Sequence, residues 1–458
     1  MKLTKGYTLI AGLLTLAAGI MTVSCSDSDT PGEAPRAIAS NPQNGAHDIA
    51  SGAVTVEIEF DQKVTLAPRG FAQVTIDNAE VTRVSPTDET LRIYISNVQK
   101  DRQYTLHIGK GTVLGETEIE NEPIDLSFTT VPSPGAEVID AAMCTPNPTP
   151  EAKRLYEYMR GIYGKATLAS TMANVSWNIA EAELVKNEIG AYPAIAFFDY
   201  IHLHYSPTSW IDYNDTAVVE NWWNEGGIPG AMWHWRVPAS EGNTDIEKYT
   251  YAPDQTTFRP KNILVEGTWE RATALADLEE MADYLLLLQA KGIPMLWRPL
   301  HEAAGNTHRG GSAWFWWDAD GGDTYVALWR FMRDFFDKKG VRNLIWIWTT
   351  ELDDRDFYPG DEYVDIIGRD LYSQQDPIAV AAEYDRIYSE YPNKMIALSE
   401  CGGVARMSEQ WNAGARWSFF MPWYQNNATT LAGHGSADTE WWQDALSQDF
   451  IINRNTIE

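Results

Sequence analysis

Two glutamates define the chemistry this chain could perform. Glu302 ends the stretch Gly292-Ile293-Pro294-Met295-Leu296-Trp297-Arg298-Pro299-Leu300-His301-Glu302, a short apolar run opened by a turn signal and closed by polar groups. Glu400 ends Ile396-Ala397-Leu398-Ser399-Glu400 in the same manner. Each run reads as a buried strand carrying an acid at its C-terminal tip, and such tips are where barrel enzymes keep reactive groups. Two carboxylates held close over one mouth suit a retaining glycosidase, with one protonated to release the leaving sugar and the other attacking the anomeric carbon. The same pair could bind magnesium, but that chemistry calls for further hard oxygen ligands and usually a phosphate substrate. For Glu302 alone, the plainest alternative is a solvated loop acid that happens to follow a strand.

Positioning such a pair requires a scaffold, and the C-terminal two thirds of the chain has the right rhythm. Buried strands are expected at 167–171, 194–200, 229–235, 294–302, 343–350, 364–373, 394–403 and 415–424, with helical patterns such as 272–291, 324–339 and 377–391 between them. Thr149-Pro150-Glu151 has the cap, first-turn proline and acidic residue of a helix start. Eight strands alternating with helices imply a closed α/β barrel of the (β/α)8 TIM type. An open doubly wound sheet is the competing architecture, but it wants a glycine-rich phosphate turn after an early strand, and none is visible. On this count Glu302 ends the fourth strand and Glu400 the seventh. Strand alternation puts Arg298, Leu300 and Glu302 on one face and Ile396, Leu398 and Glu400 on another, so both acids are expected to point inward together.

Aromatic residues gather at the same tips: Trp233-His234-Trp235, Trp314-Phe315-Trp316-Trp317, Trp346 with Trp348, and Trp423-Tyr424. Sugars present apolar C–H faces that stack on such rings, although any one tryptophan could equally be core.

All 19 tryptophans lie at or after Trp177, and residues 33–137 contain none. In that first part Val54–Phe60, Leu91–Ile95 and Tyr104–Ile108 alternate apolar and polar residues between turn signals, the pattern of a half-buried antiparallel sheet and hence of a β-sandwich. Asn41-Pro42-Gln43-Asn44-Gly45-Ala46, Phe60-Asp61-Gln62-Lys63-Val64 and Leu126-Ser127-Phe128-Thr129-Thr130 resemble bacterial immunoglobulin-like domains, whose expected role here is that of a spacer. The expected organisation is an all-β Ig-like sandwich over 33–131, a proline and glycine linker over 132–137, and the barrel over 138–458.

Residues 1–24 read as a secretion leader, with Lys2 and Lys5 before an apolar run. The run ends in small residues before Cys25, which resembles a bacterial lipoprotein processing site with Cys25 as the acylated residue; an uncleaved anchor is the alternative. Residues 25–32 then form an acidic tether, and the expected location is the outer membrane, exposed at the cell surface. The net charge of −29, or −31 once Lys2 and Lys5 are removed, disfavours nucleic acid and anionic lipid and suits a neutral ligand. Cys144 and Cys401 could pair in an oxidising envelope, but they lack framework spacing and a disulfide is not the expectation. No zinc spacing is present, and neither a metal nor a cofactor is expected.

Residues 138–458 resemble family 26 of the glycoside hydrolases on the strength of Arg298-Pro299-Leu300-His301-Glu302, Trp314-Phe315-Trp316-Trp317, the segment Val364–Tyr372 and Leu398-Ser399-Glu400-Cys401-Gly402. The resemblance implies an endo-acting β-1,4-mannanase in which Glu302 is the acid/base and Glu400 the nucleophile. It further implies that His301 positions the acid and contacts sugar, Tyr372 partners the nucleophile, and His234 lies beside the glycone sugar. Trp314 and Trp423 are expected to contact substrate, and Arg298 to favour ionised Glu400. The path from Ala303 to Ala313 is longer than is usual in the family, and Asp318 stands where a glycine is usual. The implied partner is a neutral plant polysaccharide, β-mannan, with a membrane reached through the lipid anchor, and the chain is taken as a monomer. Mixed-linkage glucan and β-1,3-xylan are alternative substrates within the family. A non-catalytic polysaccharide-binding lipoprotein is the alternative outside it, but it would need neither glutamate.

Overall fold

The computed structural model describes residues 32–49, 51–131, 138–307 and 310–457. The expected leader, Cys25 and the linker at 132–137 lie outside the described residues, as does all of the acidic tether but its last residue.

The alternating segments of the first part form two four-stranded sheets. Their inward residues, among them Val56, Ile58, Leu91, Ile93, Leu106 and Phe128, make one sandwich core. Strands Gly52–Phe60 and Thr90–Val98 pair antiparallel at the centre of one sheet, as the sequence pattern requires.

The second part is an eight-stranded parallel barrel, closed by pairing of its first strand with both the second and the eighth. The strands run Thr167–Met172, Ile195–Asp199, Ile228–Trp233, Met295–Pro299, Leu344–Thr350, Ile366–Tyr372, Met395–Gly402 and Phe419–Pro422. The helices begin and end where local chemistry dictates. Thr149 and Thr268 accept from Ala152 and Arg271 N–H groups at the starts of Pro150–Ile162 and Trp269–Ala290, and Gly340 closes Gly322–Lys339 in a left-handed conformation.

Alternation along each strand divides the core into two. Phe197, Met232, Leu296, Ile345, Ile347, Ile366, Ala397 and Phe419 belong to an inner cluster. Phe198, Trp233, Trp297, Trp346, Trp348, Ile396 and Leu398 belong to the layer between sheet and helices. Trp346 packs 5.7 Å from Trp329 of Gly322–Lys339, and Trp348 packs 5.1 Å from Tyr358. The aromatic clusters expected at the third and fifth strand tips are therefore mostly outward packing: Trp233 and Trp235 stack on each other at 4.1 Å, fully buried. Cys144 and Cys401 are both free, the Cys144 thiol donating to Asp365 at 3.2 Å. Among the described residues no helix is long and apolar enough to cross a membrane.

Candidate active site

Both glutamates reach the C-terminal mouth of the barrel, but by a different route from simple alternation. The fourth strand ends at Pro299, and Leu300 turns outward into the helix layer. Leu300 and Glu302 both take left-handed backbone angles, φ 47° and 50°. Each costs about 1–3 kcal/mol in a residue with a side chain, so neighbours must hold the turn. Two aromatic donors do: Tyr325 Oη donates to Leu300 O at 2.9 Å, and Trp317 Nε1 to His301 O at 3.0 Å. In the seventh strand Ile396 and Leu398 face the helices. Register with the sixth strand slips by one residue, pairing Arg369 with Leu398 but Asp370 with Glu400, so Ser399 is an added residue. This bulge turns both Ser399 and Glu400 toward the site.

Arg298 organises what lies between. Fully buried, it donates from Nη1 to Glu400 Oε1 at 2.6 Å, from Nη2 to Asp370, and from Nε to Thr349 Oγ1 at 2.9 Å. Ser399 Oγ donates to Asp370 Oδ1 at 2.7 Å, and Tyr372 Oη to Glu400 Oε2 at 2.7 Å. Burial opposes the Arg298 charge, yet Asp370 and Glu400 outweigh it and hold the guanidinium above its ordinary range. The Glu400 carboxyl is pushed up by burial and Asp370 and drawn back by Arg298 and the Tyr372 hydrogen bond. Glu302 is pushed up by burial and by Asp370, Glu400 and Glu351, with Arg298 drawing it back. Both carboxyls are thus raised, and the hydrogen bonds from Arg298 and Tyr372 that favour a charged carboxylate fall on Glu400.

The histidines flank this centre. His234 Nδ1 pairs with buried Asp199 at 2.5 Å, and its ring meets His301 edge-on at 4.4 Å and Trp423 at 6.0 Å. Burial lowers the His234 pKa, but Asp199 reverses the sign and raises it. His301 is driven well below its ordinary range by burial and then by His234 and Arg298, which favours the neutral ring. Its Nδ1 is buried with no hydrogen-bond partner among the described residues, and the ring packs 5.0 Å from Phe315. Trp314 is 40% exposed and lies against the turn after Glu302: a Cβ at Gly305 would sit 3.2 Å from its ring and from Asp318 Oδ2. Asp318 is buried beneath that turn, which raises its carboxyl to about 7.

Thus Arg298, His301, Glu302, Tyr372, Glu400, His234 and Trp423 converge, with Trp314 at the edge. The sequence reading missed Asp199, Thr349, Glu351, Asp370 and Ser399. Asp370 was within reach, two residues before Tyr372 on the same strand face, whereas Ser399 depends on a bulge. Glu302, Glu351 and Asp370 each bring an oxygen within 4.8 Å of the others, donors suited to a hard cation. The positive charge such an ion would bring is already supplied by Arg298 on Asp370 and by Arg369 on Glu351.

Residues 31–130 match the bacterial Ig-like domain model. A mannan endo-1,4-β-mannosidase of Thermothelomyces thermophilus is 32% identical over 301 residues, which are 63% of this chain and 59% of that protein. Mannan endo-1,4-β-mannosidase B of a Piromyces species is 29% identical over 295 residues, 62% of this chain and 48% of that one. The chain thus spans about half the length of these curated relatives. Among solved structures, the family 26 domain of a Prevotella bryantii endo-β-mannanase/endo-β-glucanase is 40% identical with TM-score 0.65, covering 70% of this chain and all of that domain. A β-mannanase from a symbiotic protist of the termite Reticulitermes speratus, complexed with gluco-manno-oligosaccharide, is 30% identical with TM-score 0.60, over 70% of this chain and 98% of that one. With the family model matching from Cys144 to Trp442, across the barrel and every residue of the mouth just described, the chain belongs to glycosyl hydrolase family 26.

Proposed function

We propose that the protein is an endo-acting β-1,4-mannanase that cleaves mannan, glucomannan and galactomannan with retention of configuration. The observation that carries this reading is Arg298, whose one guanidinium holds both Glu400 and Asp370 while Glu302 is surrounded by carboxylates. That arrangement separates the protonation states of two glutamates at one mouth, as double displacement demands. Glu302 gives its proton to the glycosidic oxygen as Glu400 attacks the anomeric carbon, forming a glycosyl-enzyme ester and releasing the leaving sugar. The Glu400 charge is then gone, so Glu302, now ionised, accepts a proton from water as that water attacks the same carbon and frees Glu400.

The other mouth residues serve binding. His234, fixed by Asp199, and Trp423 line the glycone side, Tyr372 steadies the nucleophile, neutral His301 borders the acid, and Trp314 offers an exposed face toward the leaving group. The curated mannosidase relatives support mannan as substrate. Incubation with mannan, glucomannan, mixed-linkage glucan and β-1,3-xylan, with the products sized, tests this. Internal cleavage of mannans fits the reading, and products from glucan or xylan alone overturn it.

The reading extends to location. Cys25 is the acylated residue of an outer-membrane lipoprotein, and the Ig-like domain is a spacer that presents a monomeric barrel outside the cell. Cys25→Ala is expected to leave the protein soluble or unprocessed on detergent partitioning, and identical behaviour of both forms removes the anchor.

A further inference from the structure

The double displacement leaves one buried acid of the mouth without a task. Glu351 follows the fifth strand in a turn with left-handed Leu352 and Asp353, and its backbone N–H donates to Asp354 Oδ2 at 2.7 Å. Its Oε2 accepts from Arg369 Nη1 at 3.0 Å, and Arg369 Nε donates in turn to Glu383 of the Pro377–Glu390 helix at 2.8 Å. Glu351 and Arg369 are both buried. An oxygen of Glu351 lies within 4.8 Å of oxygens of Glu302 and of Asp370. The fold therefore spends a guanidinium and a second helix-borne carboxylate on fixing a third acid beside the first.

We propose that Glu351, clamped by Arg369, is a positioning residue that keeps the proton on Glu302 before the leaving group departs and strengthens Glu302 as a base afterwards. This rests on Glu302 being the acid/base of the proposed reaction. The physical reason is like-charge repulsion across a short buried gap, which disfavours a second negative charge on the neighbour. The charged groups that act on Glu302 include Asp370, Glu400, Glu351 and Arg298, and those near Glu351 include Arg369, Asp370, Asp354 and Glu302 itself. Among the three acids facing Glu302, Glu400 loses its charge when the glycosyl-enzyme forms, and Asp370 shares the Arg298 guanidinium throughout. Glu351 takes no part in the bond changes of either step, and Arg369 holds it beside Glu302 through both. Burial raises the Glu351 carboxyl to about 7 while Arg369 draws it back, so its negative charge grows through the neutral range, where Glu302 must resist ionising.

The test is the pH dependence of kcat/KM for Glu351→Gln on mannan and on an aryl β-mannoside whose leaving group needs no protonation. On mannan the basic limb should move down by about one pH unit, a loss of about tenfold on its alkaline side, with KM unchanged below the limb. On the aryl mannoside kcat/KM should match the wild type, and Glu351→Asp, which keeps the charge, should return the limb to within about half a unit. A limb that stays at the wild-type position, or losses of equal factor on both substrates, overturns the inference. Should Glu351→Gln not fold, Glu351→Ala is read in the same way, its basic limb expected about one unit lower and a limb at the wild-type position overturning the inference. Wild-type enzyme without activity on any mannan, or without a basic limb, would instead remove the reading on which the inference rests.

Discussion

Arg298 Nη1 lies 2.6 Å from Glu400 Oε1, both groups are buried, and the neighbouring Nη2 of the same guanidinium is bound by Asp370. One buried cation thus compensates two buried carboxylates. Removing one partner of a buried pair leaves an uncompensated charge, which costs about 3–5 kcal/mol. Arg298→Met should therefore lower the unfolding free energy by about that amount and reduce kcat on mannan by at least about a hundredfold. Denaturant titration alongside kinetics checks both. A stable, fully active variant would mean that Asp370 and Glu400 are charge-compensated by other groups.

Tyr372 gives a prediction of definite sign. It is 48% exposed yet donates at 2.7 Å to Glu400 Oε2, a bond that favours the ionised carboxylate. Tyr372→Phe removes the donor, so the Glu400 pKa rises and the acidic limb of kcat/KM should move to higher pH by about one unit. The basic limb, which the proposed roles assign to Glu302, should stay where it is. Movement of the basic limb alone would exchange the proposed roles of the two acids.

What the sequence could show depended on whether periodicity or strain was responsible. The eight strands, the long helices and their caps were legible because apolar runs, Pro150 and Pro377, and Gly340 act locally. Alternation also led to inward-facing glutamates, but for the wrong reason. Leu300 and Leu398 face the helices, and the acids reach the mouth through a left-handed turn and a one-residue bulge. Neither device has a period. The tryptophans at the third and fifth strands misled in the opposite direction, because the outward face of a parallel barrel strand is as buried as the inward one. Exposed Trp314 and buried Trp233 cannot be told apart by type or spacing.

The sandwich and barrel meet at Lys100, which is buried between the Tyr384 and Tyr388 rings, 5.2 and 5.1 Å from their centres, and pairs with Asp385. Ser51 Oγ donates to the same carboxylate at 2.7 Å. Lys100→Ala removes the ion pair with Asp385 and two cation–π contacts without touching the mouth. It should increase proteolysis between the domains and lower the barrel melting temperature, while kcat on mannan at 25 °C stays within about twofold. A drop in kcat matching the loss of stability would tie the sandwich to catalysis.

The two glutamates separate by their response to leaving-group chemistry. Glu302, crowded by three carboxylates, is proposed to carry the proton. Glu302→Ala should therefore be slower on mannan by about 10²–10⁴, because the departing oxygen is no longer protonated. The same variant should still form the glycosyl-enzyme from an aryl β-mannoside with an activated leaving group, then stall, since no base activates water. Azide, which needs no base, should relieve the stall and yield the β-azide. Glu400→Ala has no such route, because no leaving group restores the missing covalent step. A burst of aryl alcohol and a mannosyl adduct in the mass spectrum are expected for Glu302→Ala and absent for Glu400→Ala. An adduct on the Glu400 variant, or equal losses on both substrates for the Glu302 variant, would mean that the roles are reversed or that configuration is not retained.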